Sequence, residues 1–344
     1  MSLLFIDGFD NYGTSVGDAP SPTGVVSRKY PLILNESSFD VVTGRLDAYA
    51  VRIVSTGGYF SPGALTTDAT MVVGFAFKID QFPPSDMVFL SLYDGVTLGV
   101  NFKLTTAGEI GVYRGVTLLG TTTGASLGVG PWRYIEVKVV CSDTGSVIVR
   151  VDEGVKLTLS SVDTKAGSNS YHTTFRFLGT SNNVLTTPHF DDMYCCDGSG
   201  SANNDFLGNT RVVAIRPDAA GDSTQLTPSA GANYECVDEE LCDDDTTYVE
   251  SLTVGHKDLY GTDAALTGVI LGVQVNTDCR ETDASSFDLK TVCKSDTTED
   301  ADAGQAIGST DYVTKTRVLE EDPHTSAAWV AADVNAAQFG LEVA

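Results

Sequence analysis

The chain has 344 residues, 42% of them hydrophobic, and carries 21 Lys and Arg against 46 Asp and Glu, a formal net charge of −25. That length and apolar content exclude a disordered polymer and call for more than one core, with two domains the working number. An acidic surface without a basic stripe cannot release counterions from phosphates, so neither nucleic acid nor an anionic membrane surface is an expected partner, and the acidity reads as solubility at high local concentration.

In chain order, the opening MSLLFIDGFD has no Lys or Arg before its apolar stretch and no small-residue cleavage site, so it does not read as a secretory leader. Synthesis and retention in a cytoplasm are expected. Short runs of Val, Ile, Phe, Tyr and Thr then alternate with Gly, Asp, Asn and Ser clusters, which predicts strands, among them Met71–Ile79 and Met87–Tyr93. A hairpin follows. Ile135, Val137, Val139 and Cys141 share one parity with Val147, Val149 and Val151, and odd positions face odd positions only across an odd-numbered loop. The three residues Asp143–Thr144–Gly145 supply it, with Gly145 expected in the left-handed conformation.

The stretch Gly198–Asp205 (GSGSANND) combines small residues and turn formers without a large apolar anchor and reads as a linker between a domain at 1–197 and a second at 206–344. Val269–Val275 predicts a strand with neither proline nor charge, and the apolar run Gly268–Val275 is far too short to span a bilayer. Asp296–Ala303 reads as a solvated loop. Ser326–Gln338 predicts a short helix, stopped by Gly340 before a last strand at Leu341–Val343. The fold class is therefore all-β with very little helix.

Seven cysteines, at 141, 195, 196, 236, 242, 279 and 293, form no C-x-x-C pair, and with histidines at 172, 189, 256 and 324 they fit no zinc spacing. Cys236 and Cys242, in an acidic loop, are the candidate disulfide pair, and the histidines read as surface or turn residues. Gly124-Ala125-Ser126-Leu127-Gly128 has the letters of a nucleophile elbow, but no strand-to-helix turn is predicted around it.

The run Trp132–Thr158 (WRYIEVKVVCSDTGSVIVRVDEGVKLT) resembles the central hairpin of laminin-G and concanavalin A-like domains. Phe190–Tyr194 (FDDMY) looks like the closing strand of that fold and Leu4–Asp10 (LFIDGFD) like its opening strand. The resemblance implies a concanavalin A-like β-sandwich or jelly roll at the front of the chain, followed by a second β-sandwich domain. The MSLLF-D-GFD-Y opening is also similar to that of small virion proteins of tailed bacteriophages, and segments such as DDDTTY, GVQVN and DVNAAQFGLEV extend this likeness through the second half.

This family implies a structural component of the particle (tail, neck, baseplate or fibre-associated appendage) acting through packing against other virion proteins, as a homo-oligomer with a trimer favoured. Capsid decoration or a glycan-binding host-adhesion module is the alternative. No membrane insertion is implied.

Sandwiches of this resemblance hold Ca²⁺ between the opening and closing strands, which makes Asp7, Asp10, Asp191 and Asp192 the candidate donors, although on a regular strand Asp191 and Asp192 face opposite ways. No other cofactor is expected. Asp243–Asp245 is a second candidate on charge alone. Sugar binding in this fold would use exposed aromatics, here Tyr59, Phe60, Tyr93, Tyr113 and Tyr171. Laminarinase-type hydrolases of the same fold carry E-x-D-x-x-E on one strand, and the nearest fragment, Glu281-Thr282-Asp283, has Ser286 in place of the third acid. The chain is therefore expected not to be an enzyme.

Overall fold

A computed structural model describes residues 2–13, 22–34, 36–46, 49–55, 57–180, 186–282 and 287–344. Over these the chain is nearly all antiparallel strand, with two short helices, α1 (Pro22–Lys29) and α2 (Ala331–Ala336). No helix among the described residues is long and apolar enough to cross a membrane. The chain divides into two units, the second starting at Val213, so Gly198–Asp205 falls inside the first unit.

The first unit contains β1 (Leu3–Asp7), β2 (Leu32–Leu34), β3 (Phe39–Thr43), β4 (Tyr49–Ile53), β5 (Gly58–Ser61), β6 (Thr70–Ile79), β7 (Met87–Asp94) and β8 (Thr97–Leu104). It continues with β9 (Ile110–Arg114), β10 (Thr117–Thr121), β11 (Arg133–Val140), β12 (Gly145–Val151), β13 (Gly154–Val162), β14 (Thr174–Thr180) and β15 (Pro188–Asp197). One sheet runs β13-β12-β11-β6-β15-β4-β3, with β1 also paired to β15; the other runs β10-β9-β8-β7-β14-β5-β2. Alternation puts the large apolar side chains of both sheets between them. Phe60, Phe75, Phe77, Phe89, Phe177 and Phe190 form a continuous ring cluster, with neighbouring centroids 4.5 to 6.2 Å apart.

The β11–β12 hairpin keeps the parity read from the sequence: Ile135 faces Val151, Val137 faces Val149 and Val139 faces Val147. Its turn differs. Ser146 lies opposite Val140, so the reversal spans Cys141–Gly145, and Gly145 is not among the residues at positive φ. A Cβ there would lie 2.1 Å from the Val140 carbonyl oxygen, so close approach is what requires glycine. The left-handed pair is Asp152 and Glu153, φ 49° and 65°, in the two-residue turn from β12 to β13.

Beyond β15 the chain stays bound to the first unit. On the side of β11 away from the core, Glu136 Oε1 accepts the Gly208 N–H at 2.8 Å and the Tyr194 hydroxyl at 2.6 Å. The Tyr194 hydroxyl oxygen in turn accepts the Leu207 N–H, Asp192 Oδ1 accepts the Val212 N–H, and Phe206 lies under the Arg150 guanidinium. The expected linker is thus the start of a strap: its anchors are polar side chains of the sheet holding backbone N–H groups, which an apolar count does not reveal.

In the second unit a sheet is formed by Pro217–Thr224, Lys257–Thr262, Gln338–Val343, Asp288–Ser295 and Thr298–Ala301 in that order, with Gln305–Ala306 also on Asp288–Ser295. Val273–Cys279 pairs with Val313–Leu319 as a separate two-stranded ribbon. Cys293, Leu319, Trp329, Val334, Ala337 and Phe339 make a core against which Val273 and Val275 pack. The strand expected at Val269–Val275 therefore begins later, and Val269 makes only a lone bridge to Val330. The C-terminal helix is shorter than Ser326–Gln338, because Ala327–Ala328 pairs with Glu321–Asp322 and Gln338 already belongs to the last strand.

Candidate functional site: the outer face of the seven-stranded sheet

Phe60, Phe175, Phe177, Val100, Phe102 and Val112 are fully buried between the sheets, so their strand neighbours point outward; an irregularity at Val88–Leu90 buries Phe89 and Leu90 together, after which Ser91 points outward. One row crosses the sheet in register: Arg176 opposite Ser91, Ser91 opposite Asn101, Asn101 opposite Tyr113, and Tyr113 opposite Leu118. Ser91 and Asn101 form its floor, each 2% exposed, whereas Leu118 is 53% exposed. The Asn101 Nδ2 donates to the Gly115 carbonyl at 2.8 Å, and its Oδ1 is buried without a hydrogen-bond partner, as is Arg176 Nε.

Two aromatic–cation stacks stand on this floor. The Arg176 guanidinium lies 3.9 Å from the Tyr93 ring centroid and 4.7 Å from that of Tyr59, and Lys103 Nζ lies 4.0 Å from that of Tyr113. The Tyr113 hydroxyl reaches Asp86 at 3.4 Å, which together with burial raises its pKa. Beside the row, His172 lies over Gly99, where a Cβ would be 2.2 Å from Nε2. Burial pulls His172 down to about 4, so the imidazole is neutral at pH 7.

Of the aromatics expected to bind sugar, Tyr59, Tyr93 and Tyr113 thus share this face. Phe60 does not: it is fully buried at the centre of the ring cluster. Tyr171 is half-buried in the segment before β14. Arg176, Lys103, Asn101 and His172 were missed by the sequence reading, although the alternation in Phe175-Arg176-Phe177 and in Val100-Asn101-Phe102-Lys103-Leu104 marks three of them as outward.

The four candidate Ca²⁺ donors are divided. Asp7 is buried and accepts the hydroxyls of Tyr12 at 2.7 Å and Tyr30 at 2.8 Å, with Lys29 Nζ 3.1 Å away. Asp10 accepts the Tyr49 N–H. A bulge in β15, with Asp192 at φ 47°, breaks the expected alternation, and both neighbouring carboxylates meet Arg45: Asp191 accepts its N–H at 2.7 Å, and the Asp192 carboxylate is 3.6 Å from its guanidinium. Burial, then the Asp192 charge, push the Asp191 carboxyl up to about 8. In the second acidic group, Asp243 accepts from Thr247 and Asp245 pairs with Arg280 at 2.7 Å. Among the described residues no group of three or more His, Cys, Asp or Glu is placed to hold a metal.

Cys236 and Cys242 are not bridged to each other: Cys236 Sγ donates to the Ala230 carbonyl and Cys242 Sγ to Asp244. The histidines at 172 and 189 are buried, not on the surface; burial lowers the pKa of His189 although Asp80 lies 3.1 Å from its Nε2. Glu281 accepts the N–H groups of Phe287 and Gly308, while Asp283 and Ser286 lie outside the described residues.

No family model and no curated protein matches the chain. Among solved structures it is similar to an endo-β-1,4-glucuronan lyase from the fungus Trichoderma reesei, at 13% identity over 48% of this chain and 90% of that one, TM-score 0.38. It is also similar to alginate lyase Aly36B, at 10% identity over 56% and 95%, TM-score 0.40. A third is the receptor-binding domain of botulinum neurotoxin C/D mosaic serotype, at 10% identity over 46% and 41%, TM-score 0.33. Two of these three carry lyase in their names, and the expectation that the chain is not an enzyme does not stand. The missing E-x-D-x-x-E run speaks to one hydrolytic chemistry only, and that assignment is withdrawn.

Proposed function

We propose that this chain is a structural component of a tailed-bacteriophage particle, installed among neighbouring chains through its second unit. The similarity of the MSLLFIDGFD opening to virion proteins supports the particle, and one observation carries the assembly reading. Val273–Cys279 and Val313–Leu319 form a ribbon of seven facing pairs to which no third strand is joined among the described residues. Ribbon edges of this kind are templates for pairing with another chain. The edge strands of the neighbouring sheet are unlike it: Pro217–Thr224 opens with proline and Thr298–Ala301 is short and acidic. Washed particles of the encoding phage should contain the chain at a fixed copy number, and a reconstruction should place it with the ribbon against another subunit. Loss of the chain on washing defeats the proposal.

A second reading, contact with glycan, is supported by the Tyr59–Arg176–Tyr93 stack. A sheet face with aromatic rings beside polar floor residues is what a sugar ring requires. The two readings are compatible in a particle appendage that touches its host.

A further inference from the structure

We infer that the outer face of the seven-stranded sheet is selective for acidic glycans, those carrying a carboxylate on the sugar ring, and that Arg176 and Lys103 are the residues that hold the carboxylate. This inference rests on the glycan-contact reading above and adds the ligand's charge to it.

The argument begins with what the cations of this chain do. In a protein of net charge −25, most Lys and Arg sit beside a carboxylate: Arg52 on Asp40, Arg133 on Asp152, Arg150 on Glu136, Lys290 on Glu342. Arg176 and Lys103 do not. Among the described residues their close partners are the rings of Tyr59, Tyr93 and Tyr113. Among the described residues Lys78, Lys156, Arg211 and Lys315 also have no ion pair; Arg176 and Lys103 differ in sharing one sheet face, each lying against tyrosine rings.

The geometry suits a carboxylated sugar. A guanidinium stacked between rings keeps its planar edge available, and that edge offers two parallel donors matched to a carboxylate. Stacking also holds the side chain in place, so less rotamer freedom is lost on binding. Beneath it the floor is polar and fixed: Asn101, 2% exposed, donates its Nδ2 to the Gly115 carbonyl at 2.8 Å, while its Oδ1 and Arg176 Nε lie below the surface, out of a ligand's direct reach. Asp86, the acid at the Tyr113 end, is engaged with the Tyr113 hydroxyl and sets a limit: a second carboxylate placed there meets repulsion.

The test uses the full chain and two polymers with one backbone, polygalacturonate and its carboxyl-reduced, neutral counterpart. An array adds sialylated and neutral oligosaccharides, because hexuronates and sialic acids both present a ring carboxylate. At least tenfold preference for the carboxylated members is expected, falling to less than twofold in Arg176→Gln and reduced in Lys103→Gln. Both side chains lie on the outer face, and unchanged circular dichroism and melting temperature confirm that each variant folds. Equal binding of the paired polymers overturns the acidic selectivity while leaving glycan contact standing, as does a preference undiminished in the double variant. Binding to nothing on the array overturns both.

Discussion

At the scale of single residues, the buried polar groups of the first unit set its response to pH. Asp191 has its carboxyl raised to about 8 by burial and by the neighbouring Asp192, against a value near 4 in an unfolded chain. Between those pH values the folded chain holds the additional proton, so stability falls as pH rises and the loss is complete above about 8. At about 1.4 kcal/mol per unit this amounts to a few kcal/mol. His172 works the other way: lowered to about 4, it costs stability as pH falls from 6.5. Comparing denaturation midpoints of the wild type and Asp191→Asn at pH 5 and 8.5 isolates the first effect. The variant should gain on the wild type at the higher pH, and a pH-independent difference would mean that Asp191 is ionised throughout. These environments were not readable in advance. Asp191 and Asp192 were visible as acids, but their shared contact with Arg45 follows from a bulge that no spacing announces.

At the scale of elements, strands with strict alternation were legible and segments anchored by polar groups were not. The parity of β11 and β12 could be read because Val and Ile must all reach one core. The turn between them differs from the expected one because Val140 and Thr164 require Gly145 for its small size and not for a left-handed conformation. The strap after β15 escaped entirely, since its anchors, Glu136, Tyr194 and Asp192, lie on distant parts of the chain. Glu136 is the element's keystone: fully buried, it holds Gly208 and Tyr194 and pairs with Arg150 at 3.3 Å. Glu136→Ala should cost about 3–5 kcal/mol, because buried partners are left unmatched. Hydrogen exchange should quicken at least tenfold at Leu207 and Gly208 while the β12–β13 hairpin stays protected. Equal acceleration in both places would show that the strap has no separate stability.

At the scale of the whole molecule, the two units differ in how much they bury. Among the described residues, 43 buried apolar side chains lie between Leu3 and Cys196 and only 13 between Leu226 and Val343. A thin core with an open ribbon gains from neighbours, but copies of charge −25 repel across a Debye length of ~10 Å at 0.1 M salt, which shrinks to ~3 Å at 1 M. Sedimentation should therefore show association rising with salt, and a monomer at every salt and protein concentration would leave no self-assembly to explain. The pairing of β1 with β15 bears on a different property. Leu3 lies opposite Cys196, so the two ends of the sandwich leave from neighbouring antiparallel strands, roughly 5 Å apart. A tug applied between them meets resistance in series. Both the strap, from Val212 back toward Gly198, and the β1–β15 rungs, from Leu3 onward, are then loaded at their free ends and open one hydrogen bond at a time, so the sandwich yields like a zip under tension.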